Sequence, residues 1–261
     1  MKKKVSLAEM RRIQLDILEK VDVFCRKNNL RYSLGGGTLL GAIRHKGYIP
    51  WDDDVDIMMP RPDYETFLRS FDGLYQHLVL QHYKNSPSCM KTFAKIYDDR
   101  TVLVEKIQKC GVYIDVFPID GLPSELELPG YIEEINSCAR WLYRTTNILA
   151  FDKNIWHIIK YFIRRVIDPS RSDVVRKLEE CLTKYPFDSS EFAGAIVGRY
   201  AEKEHMKADV FKSFINVSFE NKVFMAISDY DSYLKKHYGR YMELPPKENR
   251  VSNHNYNAWW K

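Results

Sequence analysis

The chain has 261 residues, 45% of them hydrophobic and 29% charged, with a formal net charge of +5; this excludes global disorder and leaves ample apolar material for a core. No run of 18 apolar residues is present, which excludes a bilayer-spanning helix. The five cysteines (Cys25, Cys89, Cys110, Cys138, Cys181) are odd in number, far apart and form no C-x-x-C pair, so neither a disulfide framework nor a thiolate zinc site is expected.

The N-terminal stretch is basic and then amphipathic, without the continuous apolar segment of a secretory leader, and reads as cytoplasmic. Ser6 and Glu9 form a capping box, and Leu7, Met10, Ile13, Ile17, Val21 and Phe24 follow at helical spacing. A short strand over 31–34 enters three glycines, and a short helix over 38–43 leaves them. Residues 47–53 read as a loop, and 54–58 as a strand that Pro60 and Pro62 end before a helix over 63–71. Further strands are expected at 79–80, 91–97 and 101–104, the last two joined by a hairpin turn at 98–100. Residues 112–117 give the strongest strand pattern. From about residue 125 the spacing turns helical. The expected class is therefore α+β: a mixed sheet with flanking helices over 1–123, and a mostly helical part over 124–261. Within the latter, residues 154–167 form an amphipathic pattern that suits a core-facing helix, with a membrane surface as the alternative.

The chemistry concentrates at the glycines and at Asp52, Asp53, Asp54 and Asp56. On a strand, Asp54 and Asp56 point the same way, about 7 Å apart at twice the strand rise. Two carboxylates held so close resist joint ionisation without a cation between them. Oxygen ligands of this kind suit Mg²⁺ shared with a substrate phosphate. Asp115, a single charge inside an apolar strand, is the candidate third carboxylate; its alternative is a salt-bridged core aspartate. An EF-hand is excluded, because its sixth position needs glycine and here is Ile57. Gly35 and Gly36, between a strand and a helix start, leave backbone N–H groups to meet phosphate oxygens, with Thr38 beside them. Lys95 on a strand is a candidate point-charge phosphate partner, and Arg44 could offset phosphate charge.

Leu34-Gly35-Gly36, Asp54-Val55-Asp56-Ile57 and Ile114-Asp115-Val116 together resemble the nucleotidyltransferase superfamily. The longer stretch GGGTLLGAIRHKGYIPWDDDVDIMMPRPDYE resembles the LicD family, the bacterial phosphocholine transferases related to fukutin and fukutin-related protein. FAKIYDDRT, GVYIDVFPIDGLP and the C-terminal LPPKENRVSNHNYNAWW fit the same family. The resemblance implies a nucleotidyltransferase-like core and transfer of phosphocholine, or a similar substituted phosphate or phosphonate, from a CDP-linked donor to a sugar hydroxyl. CDP-choline is the commonest donor of the family. The acceptor would be a bacterial surface glycan such as lipopolysaccharide or teichoic acid, or its lipid-linked precursor, and CMP would leave. Asp54, Asp56 and Asp115 would hold Mg²⁺ or Mn²⁺, Asp115 acting as ligand or as base. Gly35, Gly36, Thr38, Lys95, Arg44, Arg61 and His254 would bind phosphate or substrate. No nucleic-acid partner is expected, and peripheral contact with the inner face of the membrane is the one membrane role open to the chain. Two alternatives stay open: true nucleotidyl transfer to a small molecule, and a catalytically idle glycan- or nucleotide-binding module. The 17 Tyr, 13 Phe and 5 Trp residues supply many aromatics for an ammonium cage, and the sequence does not select among them.

Overall fold

A computed structural model describes residues 3–104, 109–145, 169–197, 201–251 and 257–261. The amphipathic segment at 154–167 and His254 lie outside the described residues. Helix α1 (Leu7–Lys27) starts where the capping box predicts: the Glu9 backbone N–H donates to Ser6 Oγ at 3.2 Å and the Ser6 N–H to Glu9 Oε2 at 3.0 Å. Its apolar stripe, from Met10 to Cys25, is buried. The same helix reaches toward the acidic loop. Gln14 Nε2 donates to the Asp53 carbonyl at 2.9 Å and Arg11 Nη2 to the Asp52 carbonyl at 2.6 Å, so the loop is fastened to a rigid element.

The described strands of the mixed sheet run β1 (Ser33–Leu34), β2 (Asp56–Pro60), β5 (Lys109–Leu122), β4 (Ala94–Val104) and β10 (Ala258–Trp260) across the central path. β1 is antiparallel to β2, β2 parallel to β5, and β4 antiparallel to both β5 and β10. β3 (Leu78–Gln81) pairs with the first half of β4, and β6 (Phe192–Gly194) pairs with the end of β5 and with β7 (Met206–Lys207). The glycines open α2 (Gly36–Arg44), and α3 (Arg61–Ser70) follows β2 directly. A separate hairpin, β8 (Phe214–Phe219) and β9 (Lys222–Ile227), is tied to β1 through Ser33 Oγ, which accepts from the Ile227 N–H at 2.9 Å. The architecture is α+β, a mixed sheet with flanking helices.

Three local departures from the sequence reading have physical causes. The strand of the acidic motif begins at Asp56 rather than Asp54 and ends at Pro60, which serves as N-cap of α3. Pro62 then lies in the first helical turn, where a missing N–H costs nothing. Asp98–Arg100 is not a hairpin turn; β4 runs through it with a register shift between Asp98 and Leu103. Asp98 Oδ1 accepts from the Arg100 N–H and Nε, each at 2.9 Å, and Thr101 Oγ1 takes the Val112 N–H at 2.8 Å. These bonds replace the ladder bonds that the bulge removes. Gly111 lies opposite, and a Cβ there would stand 1.9 Å from the Asp98 carbonyl oxygen, so only glycine fits. Finally, β5 does not stop at Pro118 but continues to Leu122.

Beyond residue 123 lie α4 (Leu128–Thr145), α5 (Arg171–Leu182), α6 (Ala201–Glu204) and α7 (Tyr230–Tyr238), together with the strands β6 to β10. α4 and α5 pack on each other through Ile135, Leu142, Leu178 and Leu182, in a hydrophobic cluster separate from the main one under the sheet. All five cysteines are free and buried. Among the described residues, no helix is long and apolar enough to cross a membrane.

Candidate active site

One cleft, of about 1340 Å³, collects most of the residues the sequence singles out. Its floor is made by the strand register. Asp56 on β2 pairs with Asp115 on β5, and Asp115 pairs with Lys95 on β4, so three charged side chains stand in a row across three adjacent strands. Neighbouring strands lie about 4.8 Å apart, which sets the spacing of the row. Lys95 is 2% exposed; its Nζ lies 2.9 Å from Asp115 Oδ1 and 3.3 Å from the centroid of the Tyr113 ring. Burying this ammonium is tolerable because a carboxylate and an aromatic face both meet it.

Asp54 lines the cleft from the loop just before β2 and not from the strand itself. Carboxylate oxygens of Asp52, Asp53 and Asp54 lie within 4.8 Å of one another. Burial, then Asp54 and Asp53, push the Asp52 carboxyl up to about 7. Burial pushes Asp56 well above the usual carboxylate range, helped by Asp54, Asp115 and Asp52 and opposed by Lys95. Crowded, partly desolvated carboxylates of this kind are a hard oxygen donor set, and they fit a divalent cation better than they fit each other.

The glycine turn forms the adjoining wall. Gly35, Gly36, Gly37, Asp54, Asp56, Lys95, Asp115 and Arg44 line the cleft together. Gly36 has φ +45°, in the left-handed region, and a Cβ there would approach Asp56 Oδ2 at 3.5 Å. The Gly35 N–H is committed to the Asp56 carbonyl at 2.9 Å, so it is not offered to a ligand.

Other candidates stand elsewhere or do other work. Thr38 does not line the cleft; its buried hydroxyl accepts the Asp56 N–H at 2.9 Å and fixes where β2 begins. Arg44 reaches across to the Tyr241 and Glu243 carbonyls at 2.7 and 3.1 Å, fastening the loop after α7 to α2. Arg61 is not among the lining residues. It is buried against Asp120, with Nε–Oδ1 at 2.5 Å and Nη2–Oδ2 at 2.8 Å.

Sequence reasoning missed a buried network that also lines the cleft. Glu204 accepts from the Tyr233 hydroxyl at 3.2 Å and from the Ala195 N–H at 3.3 Å, and its Oε1 lies 2.9 Å from His237 Nε2. His237 Nδ1 donates to the Tyr233 carbonyl at 2.9 Å, and the two rings stack with centroids 4.1 Å apart. The Gly36 backbone N–H faces the Tyr233 phenol oxygen. The phenol therefore links Glu204 to the glycine turn. The one sequence signal is the i, i+4 pair Tyr233 and His237; nothing in the chain ties it to glycines nearly 200 residues earlier. Tyr233→Phe removes only the hydroxyl, leaving Glu204 short of one donor. It should lower kcat/KM by roughly tenfold, equivalent to about 1–2 kcal/mol, measured beside an unchanged circular dichroism spectrum.

The chain is similar in sequence to known proteins. Residues 29–138 match the family described as LicD/FKTN/FKRP, nucleotidyltransferase domain. The chain is 32% identical over 266 residues to the lipopolysaccharide cholinephosphotransferase LicD of Haemophilus influenzae, covering 97% of each. An uncharacterized protein of Rickettsia prowazekii is 33% identical over 99 residues, 37% of this chain and 35% of its own length. One of Rickettsia typhi is 39% identical over 62 residues, covering 23% of this chain and 20% of its own.

Proposed function

The chain belongs to the LicD family, and from that premise we propose that it moves phosphocholine from a CDP-linked donor to a hydroxyl of a surface glycan, releasing CMP. The Haemophilus relative is named for transfer of cholinephosphate onto lipopolysaccharide, which supports a glycan acceptor of that kind. The observation that carries the reading is the charged row Asp56, Asp115 and Lys95 on the floor of the cleft, beside Asp54 and the glycine turn.

Phosphoryl transfer asks for positioning and charge neutralisation more than for covalent protein chemistry. Asp54, Asp56 and Asp115 would hold Mg²⁺ or Mn²⁺. A divalent cation held there would supply charge neutralisation for the donor's diphosphate. Lys95, already inside the cleft, adds a fixed positive charge near the same oxygens. With the Gly35 N–H on the Asp56 carbonyl and the Gly36 N–H facing the Tyr233 phenol, the amides beyond Gly36 in the first turn of α2 are the ones that would face a phosphate. Asp115 either completes the ligand set or accepts the proton of the attacking hydroxyl. Arg44 acts by fastening Tyr241 and Glu243, which also line the cleft, to α2.

Incubation with CDP-choline, Mg²⁺ and a lipopolysaccharide acceptor should release CMP, and EDTA should abolish that release until Mg²⁺ is restored. Because the matching family model is described as a nucleotidyltransferase domain, true nucleotidyl transfer from a nucleoside triphosphate is the second reading. A nucleotidylated acceptor and pyrophosphate, formed when a nucleoside triphosphate replaces CDP-choline, would establish it and displace the first.

A further inference from the structure

The strand register that builds the charged row builds a second row beside it. Two residues further along β2 and β5, on the same face, Met58 pairs with Phe117. Phe93, immediately before β4, packs on Phe117 with ring centroids 4.3 Å apart. All three line the cleft. The floor therefore carries Asp56–Asp115–Lys95 in one row and Met58–Phe117–Phe93 in the next, about 7 Å away along the strands.

We propose that Met58, Phe93 and Phe117 form a subsite that selects a quaternary ammonium headgroup on the transferred phosphate. This rests on the transfer reading above. Four single bonds of about 1.5 Å separate phosphorus from nitrogen in phosphocholine, a span of at most about 5 Å. A phosphate held at the charged row thus brings the trimethylammonium group onto the aromatic row, with its methyl groups covering the remaining gap. Ring faces attract cations within about 6 Å of their centroids; Lys91 Nζ at 5.7 Å and Lys95 Nζ at 5.9 Å already lie near the Phe93 ring and oppose a further cation against it, so the headgroup would meet the Phe117 ring first.

The chemistry of the row separates headgroups. Met58, Phe93 and Phe117 offer no strong hydrogen-bond acceptor. A primary ammonium or a polyol would leave N–H or O–H donors unsatisfied on this surface, and that desolvation has a cost. A quaternary ammonium has no donor to satisfy.

Isothermal titration with CDP, CDP-choline, CDP-ethanolamine and CDP-glycerol, each with Mg²⁺, tests this. The wild type should bind CDP-choline about tenfold more tightly than CDP-ethanolamine or CDP-glycerol. Phe117→Leu, which keeps an apolar side chain, should erase that preference while binding plain CDP as the wild type does. Phe93→Leu should act in the same direction. Equal binding of the three substituted donors by the wild type would overturn the subsite. So would a Phe117→Leu protein that weakens CDP and all donors alike. If CDP itself does not bind, the CDP-donor reading fails, and the subsite with it.

Discussion

Asp56→Asn is expected to abolish transfer and, in metal-free protein, to raise the melting temperature. Asp56 stands on the β2 register position facing Asp115, with Asp54 and Asp52 nearby, and it is half-buried. In the absence of a cation these like charges repel across a poorly hydrated cleft. Replacing one with a neutral isostere relieves about 1–3 kcal/mol, which at about 2–4 °C per kcal/mol for a chain of this size is a visible shift. The backbone bonds that place Asp56, its N–H to Thr38 Oγ1 and its carbonyl to the Gly35 N–H, do not involve the side chain. The fold therefore has no reason to suffer. Activity should fall on the order of 10³-fold, the scale seen when a preorganised electrostatic contact is deleted. Mg²⁺ should raise the melting temperature of the wild type and leave the variant's unmoved, since only the former keeps the full ligand set. A variant that melts lower than the wild type without metal, or keeps a tenth of its turnover, would remove Asp56 from the role assigned to it.

The same physics explains which parts of the site could be read from sequence. Asp115 was visible because a lone charge in an apolar strand needs a partner, and the register supplies Lys95 at 2.9 Å. α1 was visible because its cap and its stripe agree. Asp54 was misplaced by two residues at the strand start, because alternation alone does not tell where pairing begins; Thr38 decides that, through a side-chain bond across 18 positions. The 98–100 segment carries the polar residues of a turn, yet Gly111 on the partner strand makes room for a bulge instead. Asp98 and Gly111 meet only through pairing. The Glu204, Tyr233 and His237 network was invisible for the same reason, since its members join the cleft from elements far along the chain. What sequence could state was which groups need compensation. Which groups supply it emerged from the sheet.

Arg61 is the case where a motif residue has a different task, and its removal should reveal that in stability and not in substrate affinity. The family segment containing it suggested a phosphate contact, but the guanidinium is 8% exposed and bound through two nitrogens to Asp120, with Glu65 at 3.2 Å from Nη1. Burial opposes its charge, yet Asp120 outweighs this and holds the group firmly protonated. For Asp120 the balance goes the other way: burial raises its proton affinity more than Arg61 lowers it. The pair is thus a costly pair to bury and a costlier one to break. Arg61→Ala leaves the Asp120 carboxylate, 1% exposed, without its cation, and should destabilise the protein by about 3–5 kcal/mol in urea unfolding. Arg61→Met combined with Asp120→Leu removes both charges and should recover most of that loss, because apolar replacements of buried ion pairs are often neutral. The folded fraction of either variant should keep a donor KM within about twofold of the wild type, consistent with losing no phosphate contact. A large rise in KM with little change in the urea midpoint would instead return Arg61 to the substrate.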